Sequence, residues 1–416
     1  MAQQPVGPRE AVEQVARTSY GRLLALLASR DGDISAAEDA LADAFERAIV
    51  TWTISDVPTN AEAWIYTVAR NRLRDRARSA AVRTSVTLDV VDLGEEPCDG
   101  FSIDEIPDRR LALMFTCAHP AIDPLIRTPL MLQTVLGLDA ERIADAYVVP
   151  RPAMAQRLVR AKRRIRDAHI PFRIPDRAEM PSRLTAVLEA VYGAYAIDWR
   201  AVSGTTLRDS LSGEALYLAE LLAELLPNEP EALGLAALLC LSSSRTPARV
   251  GPSGEHIPLD EQDLSRWDAV AIARGETYLR RAHAFHQIGR FQLEAAIESA
   301  HCARAKTGRT DHEALLALYD ALLRVAPSLG AQVARAAVIA ELDGHEAGLA
   351  ALNDISSAGI ERFQPAWATR AHLLAQAGTP ADAARAYEKA ISLTTDATTR
   401  TWLRDRAARV SSAETP

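Results

Sequence analysis

Residues 138–170 read LDAERIADAYVVPRPAMAQRLVRAKRRIRDAHI, and the rest of the chain is best read outward from them. Ile143, Ala144 and Tyr147 repeat at helical spacing. Val148, Val149 and Pro150 then break the pattern, because a residue before proline is driven out of the α region. A second helix can start at Pro152, whose missing N–H has no partner to lose at a first helical position. Met154, Leu158, Ala161 and Ile165 fall on one face of that helix, and the other faces carry Arg151, Arg157, Arg160, Lys162, Arg163, Arg164 and Arg166 against Asp167 alone. Such a row of like charges repels itself in water, and a polyanion relieves it through counterion release. Helix, sharp turn and basic helix is the order of a helix-turn-helix whose second helix enters the major groove. A solvated basic face on a surface helix is the plainer alternative. The turn and the one-sided apolar stripe favour DNA.

The chain has 416 residues, more than one core usually supports, so two or three domains are expected. Its net charge of −8 is a sum over regions of opposite sign, and the local charge decides the partner. Cys98, Cys117, Cys240 and Cys302 stand far apart with no CxxC pair, which disfavours a disulfide framework or a zinc finger and points to reduced thiols. The opening MAQQPVGPRE lacks a basic segment followed by an apolar run. The longest apolar run, 232–241, is about half of what a membrane crossing needs. A cytoplasmic protein without membrane contact is expected.

From Glu10 to Arg78 the pattern is helical, with almost no strand signal. Val12, Val15, Leu23, Leu24, Leu26 and Leu27 supply the first apolar face, and Asp31, Gly32 and Asp33 end it as a turn. Ser35 with Glu38 three residues on reads as a capping box. Asp31, Asp33, Glu38, Asp39, Asp43 and Glu46 against Arg47 make that helix acidic, a face for a basic partner. After a loop holding Pro58 and Asn60, Trp64, Ile65, Val68 and Leu73 line one side of a further helix. The far end of that helix carries Arg70, Arg72, Arg74, Arg76 and Arg78 against Asp75. Rings beside cations suit single-stranded DNA, because bases stack while cations follow phosphates; for Trp52 and Trp64, core packing is the equal alternative. Residues 79–105, with Asp89, Asp92, Glu95, Glu96, Asp99, Asp104 and Glu105, read as an acidic interdomain linker.

Beyond Pro171, Pro175 and Pro181 the chain is again helical, with a long proline-bearing loop at 242–260. Three later stretches repeat an apolar helix, a glycine and an Ala-rich helix, around Gly289, Gly344 and Gly378. The last two glycines are 34 residues apart, the tetratricopeptide period, whereas the first spacing of 55 leaves room for the extra helix HEALLALYDALLRVAPS. Ala383, Tyr387 and Ala390 are placed for close helix packing. Stacked helical hairpins present a concave surface that binds protein or peptide, and a merely stabilising cap would need far fewer residues. HExxH, GxSxG, Walker A and GxGxxG are absent, so no enzyme is expected. His283 and His286 lie one turn apart without an evident third ligand, so neither metal nor cofactor is expected.

Taken together, AEDALADAFERA (37–48), WIYTVARNRLRD (64–75) and IADAYVVPRPAMAQRLVRAKRRIR (143–166) resemble regions 2 and 4 of the extracytoplasmic-function (ECF) sigma factors of bacterial RNA polymerase. The stretch IPDRRLALMFTCAHPAIDPLIRTPLMLQTVLGL (106–138) is similar to one subgroup that bears a long tetratricopeptide-like C-terminal extension. Ala153 and Gln156 stand where many relatives have Thr and Ser, and Ala334, Arg335, Ala336 and Ala337 replace an Asn-Arg-Ala-Val run.

The resemblance implies an all-α chain: region 2 at 10–78, linker 79–105, a region 4 helix-turn-helix at 106–170, and a helical repeat-like extension at 180–410. It implies core RNA polymerase (the clamp of β′, and β) and promoter DNA as partners, with a regulatory protein or peptide on the repeats. By the same comparison Asp39, Asp43 and Phe45 meet the clamp. Asn60 and Trp64 capture a flipped base of the minus-ten element, and Arg70, Asn71, Arg72 and Arg74 hold adjacent phosphates. Arg151, Gln156, Arg157, Arg160, Lys162 and Arg163 serve the minus-thirty-five element, since Arg matches guanine and Gln matches adenine in the major groove. A one-component helix-turn-helix regulator with a sensing domain is the competing function, and the acidic helix, for which a repressor has no need, separates the two. A repeat scaffold solubilised by its basic helix is the third.

Overall fold

The computed structural model describes residues 7–54, 56–84, 107–147, 149–176, 178–200, 211–252, 255, 257–357, 359–394 and 396–412. Most of the acidic linker, residues 85–105, lies outside the described residues. Among those described the architecture is all-α, as expected, with eighteen α-helices and a few short 3-10 turns. The chain divides into two compact units, Met1–Ile197 with Arg208–Glu214, and Asp198–Leu207 with Ala215–Pro416.

The first unit begins with α1 (Pro8–Asp31), α2 (Ile34–Ile54) and α3 (Ala61–Thr84), which pack pairwise into a bundle. Leu23, Leu24, Ile34, Leu41, Trp52 and Ile65 fill its core, each such side chain contributing about 1.5–3 kcal/mol of apolar burial. Gly32 stops α1 at a φ of 69°, a left-handed cap that a residue with a Cβ adopts only under strain. The cap of α2 differs from the expected box. Asp33, not Ser35, accepts the free N–H of Ala36 at 3.0 Å, and Ser35 lies inside the first turn. The third helix also runs past the expected start of the linker, to Thr84, because nothing before that residue breaks it.

Four helices follow: α4 (Pro107–Cys117), α5 (Pro124–Thr134), α6 (Ala140–Ala146) and α7 (Arg151–Asp167). Asp123 caps α5 through Leu125 N–H at 3.0 Å, and Asp139 caps α6 through Arg142 N–H at 2.7 Å. The apolar stripe read from the sequence, Met154, Leu158, Ala161 and Ile165, is buried in full. Helices α1 and α2 also pack against this second group, α1 on α4 and α5, and α2 on α7. Backbone meets backbone where Gly21 faces the end of α5: a Cβ built on Gly21 would sit 1.7 Å from the Val135 carbonyl oxygen. Then comes α8 (Pro181–Arg200).

The second unit holds most of α9 (Leu211–Leu225), then α10 (Pro230–Ser243), α11 (Ala269–His283), α12 (Arg290–Thr307), α13 (His312–Val325) and α14 (Leu329–Asp343). It ends with α15 (His345–Asn353), α16 (Gln364–Gln376), α17 (Pro380–Ser392) and α18 (Ala397–Ser412). From α10 on, successive helices pack on one another, and the three glycines read from the sequence fall between helices, Gly289 before α12, Gly344 before α15 and Gly378 before α17. Helix α10 is buried on every side from Ala232 to Ser243, because α11 and α12 both pack on it. Its Glu231 carboxylate caps the next-but-one helix, accepting from Phe291 N–H at 2.9 Å and from the Gln292 side-chain amide at 3.1 Å. Ala383, Tyr387 and Ala390 are buried in α17, as their spacing predicts.

Candidate nucleic-acid and polymerase interface

In the first bundle, the acidic side of α2 and the basic end of α3 face one another. Asp43 accepts from Arg72 at 2.8 Å and Asp39 from Arg76 at 3.2 Å, both pairs exposed. With Leu73 and Ser79 they line an open groove of about 570 Å³. Read separately, these charges suggested separate partners; the fold brings Asp39, Asp43 and Arg72 to one surface. Exposed pairs of this kind are worth about 0–1 kcal/mol each, so a charged partner on either side can displace them. Phe45 is half-buried, and Asn71 and Arg74 are exposed. Arg70 lies over the Tyr66 ring, 5.9 Å from its centre.

At the other end of α3, Trp52 is sealed in the core and meets Trp64 edge-on at 5.4 Å between ring centres. Trp64 itself is half-buried. Asn60 caps α3, its side-chain oxygen accepting from Ala63 N–H at 2.9 Å, so in this form its amide serves the backbone. Trp64 and Arg74 are about 15 Å apart along the helix by its rise per residue.

The basic helix α7 divides its cations into two groups. Arg157, Arg160, Arg163 and Arg164 are exposed and make no ion pair among the described residues. Arg157, Arg160 and Arg164 flank a groove of about 370 Å³ floored by Ile122, Leu125 and Ile126. Gln156 is exposed, and its carbonyl accepts from Arg160 at 3.4 Å. Arg151 is held by Glu141 at 2.7 Å and Asp145 at 3.0 Å, and Arg166 by Asp167 at 2.9 Å.

Lys162 departs from its expected outward place. It is 7% exposed and donates to both oxygens of Glu38 on α2, at 2.7 and 2.6 Å. Burial raises the Glu38 carboxyl above its ordinary value, and the Lys162 ammonium opposes that rise. Helical spacing could not show this contact, since it joins residues 124 positions apart.

The remaining chemistry is sparse. His283 and His286 are exposed with ring centres 6.0 Å apart, and among the described residues no group of three or more His, Cys, Asp or Glu is placed to hold a metal ion. Cys117, Cys240 and Cys302 are free and buried, and burial pushes the Cys117 thiol up to about 12. Among the described residues no helix is long and apolar enough to cross a membrane.

Residues 15–83, the α1–α3 bundle, match sigma-70 region 2, and residues 183–283 match a family of unknown function, DUF6596. The sigma-70 region 2 match, on an all-α chain, supports a sigma-factor-like role in transcription initiation and implies interaction with core RNA polymerase and promoter DNA. Over 378 residues the chain is 32% identical to an uncharacterized protein of Rhizobium meliloti (strain 1021), with 89% of each chain covered, and it belongs to the same family as that protein. No solved structure matches the chain.

Proposed function

We propose that the protein is an ECF-type sigma factor with a tetratricopeptide-like extension. In this reading α1–α3 form region 2 and α4–α7 form region 4, whose recognition helix is α7. The acids Asp39 and Asp43, with Phe45, meet the β′ clamp, and a basic clamp surface takes over from Arg72 and Arg76. The arginines so released, with Arg70, Asn71 and Arg74, follow the phosphates of the opened minus-ten strand, and Trp64 and Asn60 border the captured base. On α7, Arg157, Arg160 and Gln156 read the minus-thirty-five element and Arg163 adds a phosphate contact. Arg151 contributes after leaving Glu141 and Asp145.

The observation that carries this reading is the row of exposed arginines on α7, Arg157, Arg160, Arg163 and Arg164, which follows a short helix and tight turn in a chain whose residues 15–83 match a sigma-70 region 2. The helical hairpins of the second unit offer a docking surface through which a protein or peptide regulates or recruits the sigma region. The phosphodiester chemistry belongs to the polymerase, so the chain itself is no enzyme.

Run-off transcription with purified core polymerase and a promoter library tests the proposal. Protein-dependent transcripts are expected from a subset of promoters. Their absence from every promoter, with core that responds to another sigma factor, refutes it.

A further inference from the structure

A small cavity in the first unit takes no part in the contacts assigned above. It measures about 180 Å³ and is walled by α1, α4, the turn before α6, α6 itself and the first turn of α9, all within that unit. Three arginines from three helices line it: Arg17 on α1, Arg110 on α4 and Arg142 on α6. Against them stands one carboxylate, Glu214, which pairs with Arg110. Arg110 is 8% exposed, so its guanidinium is held almost wholly out of water. Arg17 and Arg142 are exposed and make no ion pair among the described residues.

Backbone contact fixes one wall. Helix α1 meets the turn at Gly21, where an added Cβ would strike the Val135 carbonyl. Gly137, at a φ of 67°, lets the turn fold beside the Tyr20 ring, whose Cδ1 would lie 3.6 Å from an added Cβ. A cavity shaped before its ligand arrives lowers the ordering cost of binding.

The charges call for an anion. Guanidinium groups gathered on one small cavity repel one another, and a bound anion relieves this while gaining charge-assisted hydrogen bonds. Donors on three separate helices suit a tetrahedral phosphoryl group, which offers oxygens in three directions, whereas a carboxylate offers two in one plane. Size sets the upper limit: drug-sized ligands occupy about 300–1,000 Å³, so neither a nucleotide nor a DNA duplex fits inside. We propose that this cavity is a binding site for a small phosphate-bearing anion, held chiefly by Arg17 and Arg142, with Arg110 shared between the ligand and Glu214. The site stands whether or not the chain is a sigma factor.

The test uses the full chain as wild type, Arg17→Gln, Arg142→Gln, Glu214→Gln and Arg324→Gln, the last an exposed arginine of the second unit. Inorganic pyrophosphate is the probe, titrated calorimetrically at constant ionic strength. Wild type is expected to bind it saturably with a Kd below about 1 mM. Arg17→Gln and Arg142→Gln each lose one charge-assisted contact and should weaken binding by about tenfold or more. Glu214→Gln frees the Arg110 guanidinium and should strengthen it several-fold, and Arg324→Gln should leave it unchanged. Pyrophosphate should also slow hydrogen exchange at residues 16–21 and 135–142 in wild type. Absence of saturable binding by wild type overturns the site. An equal loss in Arg324→Gln overturns it too, since bulk charge alone would then explain the binding. So does weakened binding of a promoter duplex by Arg17→Gln and Arg142→Gln with pyrophosphate affinity intact, which would assign these arginines to DNA.

Discussion

The division of cations on α7 yields a quantitative expectation for DNA binding. Arg157, Arg160, Arg163 and Arg164 are exposed and without acidic partners among the described residues, whereas Arg151 faces Glu141 and Asp145. If each of the four adds the counterion release of one phosphate, whether it rests on the backbone or reaches a base edge, log K against log salt has a slope of about −3.6, at about 0.9 per cation. Raising salt from about 50 to 200 mM then weakens binding by about 150-fold. Replacing Arg157 by Ala should reduce the slope by about 0.9 and cost about 1–3 kcal/mol on a cognate duplex, since a base contact is lost with the charge. Replacing Arg151 should move the slope by less than half as much, because Glu141 and Asp145 already balance its charge and themselves repel phosphate. Fluorescence anisotropy on a labelled duplex across that salt range measures both. A slope that falls as far for Arg151→Ala as for Arg157→Ala would show that the pairing seen on α7 does not sort its cations, and the reasoning would fail.

Three further expectations concern the second unit. A Cβ at Gly234 would lie 2.8 Å from the Gln292 backbone nitrogen, which cannot yield, so Gly234→Ala should separate α10 from α12 at a cost of about 1–3 kcal/mol; denaturant unfolding that shows a gain, as a free helix would give, contradicts this packing. Glu231→Ala removes the carboxylate cap of α12 and should lower stability by about 1–2 kcal/mol in the same assay, with Glu231→Gln recovering part of it. Burial lowers the His301 pKa below its ordinary 6.5, Glu298 opposing the fall and Arg245 adding to it, so the imidazole contributes stability above that value that is lost as pH falls through the folded one. Thermal melts of wild type should drop over that acid window, and the His301→Gln profile should be flatter; parallel profiles would rule His301 out as the cause.

The helices were legible because their signals are local. The stripe from Met154 to Ile165 and the glycine breaks at Gly289, Gly344 and Gly378 each act within a few turns; the stripe is buried and each of the glycines falls between two helices. Contacts between distant segments left no such trace. Nothing near Lys162 marks it as the one cation of its helix to be buried, and nothing near Glu38 shows that it faces α7 instead of its own N-terminus. The same holds for Asp39 and Asp43, whose pairing with Arg76 and Arg72 depends on how α2 and α3 cross. Charge density marks which helices carry an excess of one sign. It did not predict which charges are already neutralised inside the folded chain, and that decides which residues are free to bind.

Helix α10 also bears on how the chain is made. Apolar over most of its length, it packs most extensively on α11 and α12, which follow it. The ribosome must add roughly 60 more residues before that cover exists, about 3–12 s at ordinary elongation rates. For that interval every nascent copy carries a greasy cylinder without most of its final cover, a natural client for a chaperone waiting at the exit tunnel.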